Sequence, residues 1–141
     1  MNRAFADEFR KTYLRWKLID LGADSSFLPR KWRQAKTAAR DPRNMLWVLA
    51  LMARAHIGVD LRIAIARVRY SNRMEFDGVL PKILDCFENE VVTALPIEHP
   101  FRRMAAARPS AARAGLAVVI QILRGRAWKQ AQKQMRRYNA W

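Results

Sequence analysis

The chain has 141 residues, 51% of them hydrophobic, and carries 27 Lys and Arg against 12 Asp and Glu, a formal net charge of +15. That length and apolar content suffice for a core without metal or disulfide support, and Cys86, the single cysteine, has no internal partner for a bridge. Five Gly and six Pro, with Ala, Leu and Arg abundant, exclude a short-turn β architecture; the expectation is an all-α fold, one compact helical domain over 1–141 with about six or seven helices, in the cytoplasm.

A first helix is expected from about Arg3 to Leu21, ended by Gly22, and Asp7 and Glu8 near its start stand where a leader peptide would need an apolar run. Phe5, Phe9 and Trp16 share one stripe, and Leu14, Leu18 and Leu21 fall on nearly the opposite side, so this helix should end in the core. The second begins near Pro29 and reads PRKWRQAKTAAR, with Arg30, Arg33, Lys36 and Arg40 on one edge while Trp32, Ala35 and Ala39 face away. Asp41 and Pro42 form a cap and first-position pair for a third helix that runs to about His56, with Gly58 as its stop. The next stretch, VDLRIAIARVRYSNR, alternates like a strand but also fits a helix capped by Asp60; in a chain without a partner strand, helix is expected.

From about Val79 to Leu95, an acidic helix carries Leu80, Ile83, Leu84, Phe87 and Val91 on one stripe. HPFRRMAAARP opens a short basic helix, Ser110 is placed to cap Ala111 to Leu123, and Gly125 should separate that helix from the last one. The two most apolar runs, MLWVLALMA and GLAVVIQIL, each stop at an arginine well short of the roughly 20 residues of a membrane span. They read as core, which predicts that Trp47, Val48, Leu51, Val119 and Ile122 are buried.

Charge is distributed in blocks: +10 over residues 1–73, −5 over 74–101 and +10 over 102–141. Such charge repels itself and calls for a polyanionic partner, and with 20 of the 27 basic residues being arginine, phosphate is the better match. The C-terminal RAWKQAQKQMRRYNAW holds no acidic residue; on a helix, Trp128, Ala131, Met135 and Tyr138 take one face, and Arg126, Lys129, Lys133, Arg136 and Arg137 the other. The acidic block (Glu75, Asp77, Asp85, Glu88, Glu90, Glu98) reads first as surface that relieves repulsion. Tryptophans flanked by cations, as at Trp16, Trp32 and Trp128, resemble stacking platforms, but helical geometry turns each toward the core.

Catalytic spacing is not recognisable. His56 and His99 lie far apart, Cys86 should pack as a small hydrophobe, and no phosphate-loop, nucleophile-elbow or zinc-helix motif occurs. The expected function is therefore non-catalytic nucleic-acid binding, to DNA or RNA, through backbone contacts by Arg30, Arg33, Lys36, Arg40, Arg126, Lys129, Lys133, Arg136 and Arg137. No enzyme activity, cofactor, metal, small-molecule substrate or membrane is expected; the partners are nucleic acid and other protein subunits of a nucleoprotein complex. An adaptor or inhibitor that sets its cationic face on an acidic protein is the second reading, and membrane-surface docking the third. In size and helical character the chain is similar to small helical subunits of CRISPR effector complexes and to phage or plasmid accessory proteins, a compositional likeness that carries no residues across.

Overall fold

Capping and helix propensity settle the local structure before any packing does. The computed structural model describes residues 2–17 and 28–139, and among these the elements are helical, with no strand. Asn2 caps α1 (Arg3–Lys17) by accepting from Ala4 N at 2.9 Å. Pro29, with its backbone extended, precedes α2 (Arg30–Ala39). Asp41 accepts from Arg43 N at the start of a short 3₁₀ turn (Pro42–Asn44), and Asn44 then caps α3 (Met45–Ala55) through Trp47 N at 3.2 Å. Helices α5 (Arg73–Gly78), α6 (Leu80–Ala94), α7 (Pro100–Ala107) and α8 (Pro109–Asn139) complete the chain. Asn72 caps α5 and His99 Nδ1 accepts from Phe101 N at the start of α7.

Four expected boundaries are corrected. Ser110 does not cap a helix from Ala111, because α8 already begins at Pro109, whose fixed φ suits a first helical position, and Ser110 lies inside it. Gly58 does not stop α3; the chain passes through a π-helical segment, His56–Leu61, directly into α4 (Arg62–Arg67), and Arg69, at a φ of 51°, makes the left-handed turn that ends the run. Asp60 is accordingly no cap, because it lies inside that segment, fully buried. Gly125 does not separate two helices either: it sits within α8, where glycine weakens a helix by about 1 kcal/mol relative to Ala without ending it unless the backbone turns left-handed. With α3 and α4 joined, the six or seven rods expected from sequence are found among the described residues, α5 being an addition.

The chain packs as two units, one made of Met1–Ser71 with Leu123–Trp141 and the other of Asn72–Ile122. In the first, α2 lies on α3, and Leu28, Trp32, Ala35, Leu51, Ala55 and Val59 form one buried cluster. Against α4 and the π segment lies α1, with Phe5 stacked on Tyr70 (centroids 4.6 Å) and Phe9 on His56 (4.5 Å). Ala127 and Ala131 of α8 are buried, Trp128 meets Tyr70 edge-on at 6.2 Å, and Gln132 Nε2 donates to Tyr70 O. In the second unit Phe76, Leu84, Leu95 and Ile120 are buried, and Arg113 donates to Asp85 at 2.9 Å and Glu88 at 2.7 Å.

Two of the five residues expected in the core are found there. Val48 and Leu51 are buried, but Trp47 is 56%, Val119 56% and Ile122 50% exposed. The inward stripe of α3 is Val48, Leu51, Ala55, and Trp47 stands one position off it; in α8 it is Ile120, not its neighbours, that turns inward. Leu14 is exposed at the edge of α1, Leu18, Leu21 and the side chain of Trp16 lie outside the described residues, and Cys86 is exposed rather than packed. Leu51→Ala should therefore cost about 2–5 kcal/mol, whereas Ile122→Ala should stay within about 0.5 kcal/mol of the parent. Denaturant midpoints check this, and equal losses would show that the inward stripe of α8 is misassigned.

Candidate nucleic-acid interface

Two neighbouring residues of α2 grip the π segment from one side. Trp32 is wholly buried and its Nε1 donates to Asp60 Oδ1 at 2.9 Å; Asp60 Oδ2 is 2.9 Å from His56 Nδ1. Lys31 comes before Trp32, and its Nζ rests on Gly58 so closely that a Cβ built there would lie 2.6 Å from it. The three atoms nearest that position all belong to the end of the Lys31 chain, so Gly58 is the notch that admits the ammonium.

Around the notch the chain places further cations. Arg54 and Arg62 stand four residues either side of Gly58, and Arg126 belongs to α8; among the described residues these three are the charged groups that act on Lys31. Burial first, then Arg54, Arg62 and Arg126, holds the Lys31 amine below its ordinary range. Among the described residues none of the four takes part in an ion pair, and Arg62 Nε is buried without a hydrogen-bond acceptor. An open hollow of about 530 Å³ adjoins Arg62, walled by Gln130, Lys133, Gln134, Arg137 and the exposed Tyr138.

The residues expected from sequence are therefore divided. Arg126 joins the Lys31 cluster, Lys133 and Arg137 line the hollow, and Lys129 and Arg136 are exposed elsewhere on α8. On α2, Arg33 borders a second hollow of about 450 Å³ with Gln34, Thr37, Trp47 and Arg54, and donates to Leu28 O at 3.3 Å. Arg30 and Arg40 are exposed on the same helix and Lys36 is half-buried. Lys31, Arg54 and Arg62 were not anticipated, although Arg54, Gly58 and Arg62 at four-residue spacing are visible in the sequence as a notched cationic face. Tyr138, expected on the packed face of α8, is exposed at the rim of the hollow.

Among the described residues no group of three or more His, Cys, Asp or Glu could hold a metal ion, and no helix is long and apolar enough to cross a membrane. What the cluster can do chemically is donate: an ammonium and several guanidinium forks suit oxyanions. The depressed Lys31 amine carries a stability signature. The charged form is disfavoured in the fold, so stability should rise with pH as Lys31 deprotonates, through the window from its lowered folded value to the ordinary lysine value. Lys31→Gln should raise the denaturation midpoint at neutral pH, and its advantage over the parent should shrink through that window. Equal midpoints for variant and parent across the whole range would contradict repulsion within the cluster.

Comparison with curated proteins and with solved structures gives no significant match. One family model matches residues 1–140, essentially the whole chain, and its description is "Family of unknown function (DUF5995)". The chain belongs to that family.

Proposed function

We propose that the protein binds nucleic acid non-catalytically, through the phosphate backbone, as a cytoplasmic accessory or small subunit of a larger nucleoprotein complex. One observation carries this reading: cations from three parts of one unit, Lys31, Arg54, Arg62 and Arg126, act on one another, and among the described residues no carboxylate joins them. The described carboxylates of that unit are engaged elsewhere, Asp7 with Arg3, Glu8 with Arg67, Asp41 with Arg43, and Asp60 with Trp32 and His56. Cations left uncompensated in this way repel one another, and a phosphate chain relieves that repulsion. The arginine fork also matches phosphate geometry better than an ammonium does.

Binding of this type should show little sequence preference and lose affinity steeply with salt. The expected log–log slope is about −0.9 per neutralised phosphate for duplex DNA and about −0.7 for single strands. Replacing Arg126, Lys133 and Arg137 by Gln, all in α8, should weaken binding to every sequence alike and flatten the slope by about one per lost contact. Anisotropy titrations at several salt concentrations measure both. A flat salt response in the parent contradicts backbone binding, and displacement of the nucleic acid by an acidic polypeptide of matched charge at equal concentration favours the adaptor reading.

A further inference from the structure

We infer that the hollow beside Arg62 seats the terminal phosphate of a nucleic-acid strand, with Gly58 as the notch through which Lys31 adds its charge. This rests on the nucleic-acid reading above and goes further, from the backbone in general to a strand end. An internal phosphodiester brings one charge, whereas a terminal phosphomonoester brings about −1.5 to −2 at neutral pH and three strong acceptor oxygens. Arg62 belongs both to the Lys31 cluster and to the hollow, so one guanidinium links the two features. Its buried Nε lacks an acceptor, and buried donors are nearly always satisfied.

The hollow is also the right kind of space for a terminal nucleotide. Its volume of about 530 Å³ falls within the roughly 300–1,000 Å³ of small-ligand sites. Lys133 and Arg137 flank the position of the phosphate, Tyr138 offers an exposed ring on which a base can stack, and Gln130 and Gln134 offer amides to base or sugar edges. Burial and three neighbouring guanidiniums depress the Lys31 amine, a strain that a dianion relieves more than a monoanion does.

The test compares single strands of one sequence that carry a 5′-phosphate, a 3′-phosphate or hydroxyls at both ends, by anisotropy with the full chain. One phosphorylated form should bind roughly tenfold or more tightly than the hydroxyl strand, the worth of an added charge-assisted hydrogen bond. Gly58→Ala is the incisive variant: the nearest atoms to its new methyl are those of the flexible end of Lys31, and alanine favours helix, so the fold should persist with an equal or higher thermal midpoint while the ammonium is displaced. In Gly58→Ala, and in Arg62→Gln, the ratio of phosphorylated-strand to hydroxyl-strand affinity should fall toward unity, because the hydroxyl strand loses only a backbone contact while the phosphorylated strand loses the seat for its terminal group. If all three strands bind the parent equally and with a steep salt dependence, the seat is wrong and backbone binding stands. If none binds, both readings fail. A preference that survives unchanged in both variants overturns the placement of the seat.

Discussion

The carboxylate of Asp60 is the constraint on which the functional unit depends. It is enclosed within a helix, where an unpaired polar group costs several kcal/mol. It is tolerated because Trp32 Nε1 donates from α2 and His56 lies one turn back along the same run. That arrangement joins two helices by a directional bond rather than by apolar contact alone, and so sets which residue of α2 meets which residue of the π segment. With Trp32 fixed on Asp60, its neighbour Lys31 is delivered to Gly58, between Arg54 and Arg62. A segment of widened turn, a buried acid and a glycine thus occupy six consecutive residues, His56–Leu61, the kind of local irregularity that concentrates at functional sites.

The two units handle charge in opposite ways. In Asn72–Ile122, Arg113 is held by Asp85 and Glu88 together, and Arg73 by Asp77. Three of the six carboxylates in the acidic block, Asp77, Asp85 and Glu88, are thus paired with arginines of the same unit. In the other unit the cations near Gly58 have no ion-pair partner among the described residues, and burial first, then their repulsion, depresses the Lys31 amine. The proposed phosphate binding would give that repulsion a purpose, since a cost built into the empty fold becomes a gain when an anion arrives.

How much of this was legible in the sequence follows from what each signal depends on. Helix content, the Asp41 and His99 starts and the basic outer side of the last helix are local, set by propensity, capping and spacing, and they are found where the residues indicate. Gly58 and Gly125 were misjudged because glycine ends a helix only if the backbone turns left-handed, and here α2 and the packed side of α8 keep it helical. Burial of Trp47, Val119 and Ile122 failed for a related reason: apolar runs are hydrophobic on all sides, and only tertiary packing chooses which side turns in. The cationic cluster depended on three segments meeting, which no local pattern encodes. Its one sequence trace, arginine four residues on either side of Gly58, gains meaning only once Lys31 is seen to enter the gap.

The most direct measurement is an amide chemical-shift titration of the full chain with a short single-stranded oligonucleotide at low salt. The largest changes should fall at Gly58 and its neighbours Arg54 and Arg62, and along Arg126 to Tyr138, with the amides of residues 72–122 little affected. Changes concentrated in residues 72–122, or spread evenly over every basic surface, would contradict a cationic seat organised around Gly58.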